Sequence, residues 1–214
     1  MKSLISTILF ATSSVFNLAI AEGWGIDLAY GVGMSDQPIF TYIYPDGSTN
    51  KLVPGDGFSF LLSKDVFQLG PAALNLRAGL NWEAQTGDSL SGEAMNHRFS
   101  YLPVYLTGKL DLSRQLSIAG GLSYLFLPKY VGQVGSDKVI AELASSFGYN
   151  AELRYTAIQN VDNPKRVIPG IFVRYSTNSA SLTTVSSNQG DTIEVPDGYS
   201  IDISALSFGI TFEF

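Results

Sequence analysis

Cysteine is absent from this chain of 214 residues, and charged residues are scarce. Without cysteine the sequence excludes disulfide frameworks, thiolate zinc sites and thiol catalysis. Charged residues make up 15% of the sequence, well below the roughly 25% that is typical of soluble domains. The formal net charge is −6, and no cluster of Lys or Arg offsets it, so we expect no nucleic-acid partner.

Long apolar runs are also lacking after the first 21 residues. Lys2 precedes an apolar stretch over residues 4–20, which closes on the small-x-small pattern Ala19-Ile20-Ala21. Polar residues interrupt this stretch, and it is shorter than the ~20 residues that a transmembrane helix needs. We therefore predict that residues 1–21 are a cleaved signal peptide, and that residues 22–214 form one exported domain.

The dominant pattern in the mature chain is strict alternation of apolar and small or polar residues. Such segments occur at residues 24–34, 58–66, 74–84, 101–112, 115–126, 147–155, 167–175 and 206–214. One face is continuous and apolar, as lipid requires, whereas the other mixes Gly and Ala with isolated charges, as a narrow interior requires. The pattern predicts an all-β fold, an eight-stranded antiparallel up-and-down transmembrane β-barrel.

The connections between these segments alternate in length. Long polar loops are predicted at residues 35–57, 85–98, 128–137 and 176–200, and shorter connections at 67–71, 113–114 and 157–166. This alternation is typical of an outer-membrane barrel with long loops outside and short turns in the periplasm. Ile201 and Ile203 are out of phase with the last segment, which predicts a bulge near Ser204 or a strand that begins outside the membrane.

Three features make the sequence resemble the family of small porin-like proteins with an outer-membrane β-barrel domain. They are the signal peptide, the hairpin of "YLPVYLTGKLDL" and "SIAGGLSYLF", and the terminal "SFGITFEF". The resemblance implies eight strands and a location in the outer membrane of a Gram-negative bacterium. In that family the C-terminal strand is read by the periplasmic β-barrel assembly machinery. Phe214, with Phe208, Ile210 and Phe212 on the same face, matches this assembly signal.

Charged residues on the predicted inner face form the first candidate site. They are Asp27, Arg77, Glu83, Lys109, Asp111, Glu152, Arg154, Arg174 and Glu213. An eight-stranded barrel is barely wide enough for its own side chains, and an unpaired buried charge is costly. We therefore predict a network of ion pairs in a filled, non-conducting interior, with a gated or narrow pore as the alternative.

Catalytic and cofactor sites are not expected. His97 is the one histidine, and Ser100, three residues further, falls on the opposite face of a strand, which is poor for a nucleophile–base pair. The loop segments "YPDGSTN", "TGDSLSGE" and "SNQGD" lack the EF-hand ligand pattern and favour ordinary solvated turns over a Ca²⁺ site. We predict a protein that is not an enzyme and binds no cofactor or metal.

The first long loop contains a second candidate site. Phe40, Tyr42 and Tyr44 alternate there, and this segment is expected to pack over the barrel mouth, extend a strand or contact an external partner. We predict a monomer in outer-membrane lipid with a structural or surface-interaction role, such as envelope integrity or adhesion. The alternatives are a narrow channel for small or hydrophobic solutes and, third, a lipid A-modifying enzyme.

Overall fold

A computed structural model describes residues 23–36, 38–43, 47, 49–88, 93–157, 167–195 and 199–214. The predicted signal peptide lies outside these residues. In the described ranges the secondary structure consists of strands and turns. No helix among them is long and apolar enough to cross a membrane.

Thirteen strands follow one another along the described chain. They are β1 (Trp24–Gly33), β2 (Phe40–Ile43), β3 (Thr49–Leu52), β4 (Gly57–Leu69), β5 (Ala72–Asp88), β6 (Ala94–Asp111), β7 (Leu116–Val134), β8 (Asp137–Leu143), β9 (Ser146–Thr156), β10 (Ile168–Ser187), β11 (Thr192–Glu194), β12 (Ser200–Asp202) and β13 (Ala205–Glu213). Their alternating apolar residues and β-branched or aromatic content favour extended structure.

Eight of these strands pair antiparallel in a closed ring. The order is β1, β4, β5, β6, β7, β9, β10 and β13, and β13 pairs back with β1. We call the end with the β4–β5 and β6–β7 connections the turn side, and the opposite end the loop side. On the loop side β8 continues between β7 and β10, whereas β11 and β12 extend the sheet along β10.

The strands of the ring are staggered. A row of directly paired residues starts at Arg77 and runs one way through Ser63, Gly25 and Glu213 to Ile168, and the other way through Tyr105, Ser123 and Gly148 to Asn178. Both rows end on β10, at positions ten residues apart. Eight tilted strands with such a stagger enclose an interior just wide enough for side chains.

The two faces of the ring have opposite polarity to those of a soluble sheet. Large apolar side chains such as Leu28, Leu76 and Phe208 are exposed on the outside. Polar side chains such as Asp27 and Thr107 are buried inside. A soluble antiparallel sheet buries its apolar face and wets the polar one. The alternation that the sequence predicts for the eight segments is therefore present with its apolar side outward.

Three of the predicted long loops are largely strands. The loop predicted over residues 85–98 is one of them, because β5 continues to Asp88 and β6 begins at Ala94. β7 and β8 leave only residues 135–136 between them, where a loop over residues 128–137 was expected. β10 continues to Ser187 through the region predicted as a loop over residues 176–200. The predictions were wrong because these extensions gain stability from neighbouring strands without carrying an apolar outer face. Ile201 and Ile203 are out of phase with the last apolar segment, and the strand is interrupted at this point. Ile203 and Ser204 lie between β12 and β13.

Candidate functional site in the interior of the ring

Five charged side chains from four strands meet in the interior. They are Asp27 on β1, Arg77 on β5, Glu152 and Arg154 on β9, and Arg174 on β10, each between 1% and 5% exposed. Each lies on the inward-facing parity of its strand, so the period of two directs all five toward the centre. We call these five residues the ion-pair cluster.

Both carboxylates of the cluster accept hydrogen bonds from several arginines. Arg174 Nη2 and Arg154 Nη2 donate to Asp27 at 2.7 and 3.1 Å. Arg174 Nε and Arg154 Nε donate to Glu152 at 2.8 and 2.9 Å. Arg77 also donates to Glu152. Because β5 and β9 are three strands apart in the ring, the Arg77–Glu152 contact reaches across the interior.

A sixth residue balances the charge of the cluster. Three arginines against two carboxylates leave one positive charge, and Arg154 Nη1 donates to Glu213 Oε1 at 3.0 Å. Arg154 Nη1 also donates to Thr211 Oγ1 at 3.1 Å. The Arg174 guanidinium lies 4.6 Å from the ring centroid of Phe172, within the range of a cation–π contact. The buried guanidinium groups are thus compensated by carboxylates and an aromatic face.

The other predicted members of the network lie away from its centre. Lys109 Nζ is 3.9 Å from Glu213 and 3.6 Å from Asp111, at the turn-side end where both acidic side chains are partly exposed. Glu83 is buried on the inner face, but it is six residues from Arg77 on β5, roughly 20 Å along the strand. The structure therefore brings six of the predicted charges together and places Glu83 separately, toward the loop side.

Asp65 joins the network although the sequence reading did not include it. Asn75 Nδ2 donates to Asp65 Oδ1 at 2.7 Å, and Arg77 Nε donates to Asn75 Oδ1 at 2.7 Å. Asp65 lies within the predicted segment 58–66 and shares the parity of Ser63 and Leu61, which face inward, so the alternation already places it on the inner face. On the turn side Asp65, Lys109, Arg154 and Glu213 line a cavity of about 50 Å³, which has room only for water-sized molecules.

The predicted assembly-signal residues lie on β13, apart from Phe214, which directly follows it. Phe208 and Ile210 are exposed on its outer face, and Phe212 has the same parity and is partly exposed. The Phe214 amide donates to the Trp24 carbonyl at 2.9 Å, which continues the pairing of β13 with β1.

The predicted loop-contact residues lie at the edge of the described chain. Phe40 and Tyr42 belong to β2, whereas Tyr44 lies outside the described residues. Among the described residues, β2 pairs with β3 alone, in a two-stranded sheet separate from the ring. The described part of this segment therefore does not extend a ring strand, which was one of the three arrangements expected for it.

His97 is buried on the part of β6 that lies beyond the apolar outer face. Its Nδ1 is 2.6 Å from the Tyr130 hydroxyl, and burial lowers the pKa of the imidazole. Ser100 pairs with Trp82, whose side chain is exposed on the outer face. His97 and Ser100 therefore face opposite sides of the sheet. Within the described part of the chain, no group of three His, Cys, Asp or Glu side chains is placed to hold a metal ion.

The fold and its interior define an all-β protein whose eight antiparallel strands close around a buried charged cluster. Among solved structures, the chain is similar to the crystal structure of Acinetobacter baumannii CarO, with a TM-score of 0.40 and 14% sequence identity over 89% of this chain and 97% of that chain. No family model matches the chain, and no curated protein matches it. The resemblance to small porin-like proteins therefore stays an expectation.

Proposed function

We propose that the chain is an eight-stranded transmembrane β-barrel of the outer membrane of a Gram-negative bacterium, with a side-chain-filled interior. The observation that carries the proposal is the continuous apolar outer face, on which side chains such as Leu74, Leu106 and Leu122 are exposed. Water would make this surface costly, whereas lipid stabilises it, and a closed ring leaves no unpaired backbone edge in the hydrocarbon.

The height of the apolar outer face supports this proposal. On β5 it extends over nine residues from Leu74 to Trp82, eight steps or roughly 26 Å along the strand, and strand tilt shortens this along the barrel axis. An apolar band about 25 Å tall is typical of outer-membrane barrels. Aromatic side chains mark both edges, with Phe58, Trp82, Phe126 and Phe147 toward the loop side and Trp24, Tyr155 and Phe212 toward the turn side.

A charge in the middle of this band should destabilise the protein strongly. Leu106 is 42% exposed and lies midway between Leu102 and Leu110 on β6. We expect Leu106→Arg to lower the free energy of unfolding from phospholipid bilayers by about 2–4 kcal/mol, since the guanidinium would enter hydrocarbon. Reversible denaturant unfolding in bilayer vesicles measures this difference.

Ile193 provides a matched control for the Leu106 substitution. It is 65% exposed on β11, beyond the band. Ile193→Arg should change the free energy of unfolding by less than about 0.5 kcal/mol, as most surface substitutions do. Equal effects of the two substitutions would contradict the membrane assignment.

The proposed role is structural or surface interaction rather than transport. The ion-pair cluster crosses the bore, and β8, β11 and β12 extend the sheet beyond the band, where they offer a surface to an external partner. We propose a monomer whose partners are outer-membrane lipid and, during assembly, the periplasmic β-barrel machinery. The outward Phe208 and Ile210 on β13 support recognition of that strand.

We also propose that the protein is not an enzyme. His97 is buried against Tyr130, and Ser100 lies on the other side of the sheet, so the geometry supports no nucleophile–base pair. Lipid A from cells that produce His97→Ala should have the same mass spectrum as lipid A from cells that produce the unaltered protein. A changed acylation pattern would revive the enzyme interpretation.

A further inference from the structure

A groove crosses four strands on the outer face of the ring. Two rows of directly paired side chains form its walls, and all four side chains of the first row are aromatic. The first row consists of Phe208, Tyr30, Phe58 and Trp82, and the second of Ile210, Leu28, Phe60 and Leu80. The groove between the rows has a volume of about 560 Å³, within the range of small-molecule sites. We call it the outer groove.

The outer groove descends from the loop-side edge of the apolar band to its middle. On β5 its walls are Leu80 and Trp82, the last two large apolar residues of the outer face toward the loop side. On β13 its walls are Phe208 and Ile210, which lie in the middle of the outward apolar series of that strand. A lipid acyl chain also runs from the headgroup region toward the bilayer centre. The groove therefore has the direction and the apolar lining that one acyl chain needs.

Three cations lie on the outer face just beyond the loop-side end of the outer groove. They are Arg98 on β6, Lys129 on β7 and Lys138 on β8, and all three have the outward parity of their strands. We call them the basic patch. Lys129 pairs with Glu142 at 3.0 Å, whereas among the described residues no ion pair joins Arg98 or Lys138 to an acidic side chain. The patch is thus locally positive, although the chain has a net charge of −6.

The basic patch and the outer groove meet at Trp82. Trp82 pairs with Ser100, which pairs with Lys129, so Trp82 and Lys129 lie two strands or roughly 10 Å apart. Arg98 pairs with Ala84 and is a diagonal neighbour of Trp82, at a separation of roughly 7–8 Å. One lipid can therefore reach both features, with its headgroup on the cations and a chain in the groove.

We propose that the basic patch and the outer groove together bind one lipid with a phosphate monoester headgroup, as lipid A has. Arg98 and Lys129 contact the phosphate, and one acyl chain lies between the two rows. A phosphate monoester carries about −1.5 to −2 charges at pH 7. It replaces Glu142 as the partner of Lys129 at little cost, because exposed ion pairs contribute little. The inference rests on the proposed membrane role, which places the loop side in the outer leaflet, and adds a lipid class and the residues that select it.

The chain has two tryptophans, so the fluorescence of each can be measured alone. Trp24→Phe leaves Trp82, at the end of the outer groove, as the reporter. In phosphatidylcholine vesicles, brominated phosphatidic acid should quench Trp82 at least about fivefold more strongly per mole fraction than brominated phosphatidylcholine, since each nearby Lys or Arg favours an anionic lipid about fivefold. Unbrominated lipid A should relieve this quenching, and lipid A without its phosphates should not.

Charge variants test the basic patch. Arg98→Gln with Lys129→Gln should abolish the preference of the Trp82 site for phosphatidic acid. Lys64→Gln with Arg114→Gln is the matched control, because it removes the same charge on the turn side. The control should keep the preference. Its loss there would overturn the proposal, since the attraction would then come from the net charge of the protein.

Ring-for-leucine variants test the outer groove. Leu28→Phe with Leu80→Phe narrows it and should lower the preference for phosphatidic acid about threefold, because in lipid the chain is held by van der Waals packing. Leu106→Phe with Leu122→Phe, at a directly paired position outside the groove, should have no effect.

The quenching measurement separates failure of the lipid site from failure of the membrane role. Equal quenching of Trp82 by the two brominated lipids would overturn the lipid site and leave the membrane role intact. If Trp24 in a Trp82→Phe variant is quenched while Trp82 in Trp24→Phe is not, a second copy of the chain covers the groove, and the lipid site is wrong. Quenching of neither tryptophan would contradict the membrane role itself.

Discussion

Replacing Glu152 by glutamine should lower the free energy of unfolding by about 3–5 kcal/mol, the range for breaking a buried ion pair from one side. Glu152 accepts hydrogen bonds from Arg77, Arg154 and Arg174. Glutamine keeps the shape but removes the charge, so three buried guanidinium groups would face Asp27 and the partly exposed Glu213. Equilibrium unfolding in urea with the protein in lipid vesicles measures the loss.

Glu142→Gln is the matched control, because Glu142 also pairs with a cation. Its Oε1 accepts from Lys129 Nζ at 3.0 Å, and both side chains are exposed to a similar extent. An exposed pair contributes only about 0–1 kcal/mol. If Glu142→Gln and Glu152→Gln lowered the free energy of unfolding equally, the interior would have to contain enough water to screen the charges of the cluster.

Removing a cation together with Glu152 should recover part of the loss. Arg77→Met in the Glu152→Gln background leaves Arg154 and Arg174 facing Asp27 and Glu213, so the charges balance again. A double-mutant cycle should give a coupling energy of up to about 3 kcal/mol, as for residues in one network. Additive effects would show that Arg77 and Glu152 do not interact across the bore.

The second large effect concerns conductance in planar bilayers. The unaltered protein should pass no steady current, because the ion-pair cluster reaches across the interior and a buried apolar group that includes Leu52, Phe99 and Leu125 fills its loop-side part. Replacing residues 39–52 by a short Gly-Ser linker should leave the ion-pair cluster in place across the interior. Arg77→Ala with Glu152→Ala should leave the apolar group on the loop side in place. The combined variant should show reproducible single-channel steps, since both obstructions are removed and the remaining buried charges are balanced.

Each outcome of the conductance measurement discriminates between functions. Steady opening events of the unaltered protein would overturn the filled interior and favour the narrow porin-like channel. A silent combined variant would show that the other interior side chains, such as Tyr105 and Phe172, block the bore by themselves. Circular dichroism of each variant in vesicles provides the control for correct folding.

The sequence predicts much of the ring and part of its interior. A period of two assigns each residue to a face, so alternation alone directs Asp27, Arg77 and Glu152 inward, and an eight-stranded interior has little room to keep them apart. The pairing of particular atoms does not follow from parity. Glu83 illustrates the limit, because its parity is also inward while its position along β5 separates it from the cluster.

The packing of Leu52 and Ile39 into the loop-side interior could not be predicted from the sequence. The aromatic alternation predicts Phe40 and Tyr42 as the contact residues of the first loop, but Leu52 and Ile39 are the residues that pack in the interior. Their position depends on the fold-back of residues 53–56 onto Gly33, a contact between segments whose approach is set by tertiary structure. The local residue pattern does not predict this contact, and it does not predict the ten-residue stagger of the ring.

The pairing of β1 with β13 has a consequence for how the protein reaches its native state. Gly25 pairs with Glu213, so this seam joins positions 188 residues apart in the chain, whereas β6 and β7 meet through a short turn. Contacts between distant segments carry the largest loop-closure entropy and slow folding. We infer that the seam closes last, and that until then β1 and β13 are unprotected edges through which two chains can pair. Misassembly should therefore depend on protein concentration during folding and vanish once the seam has formed.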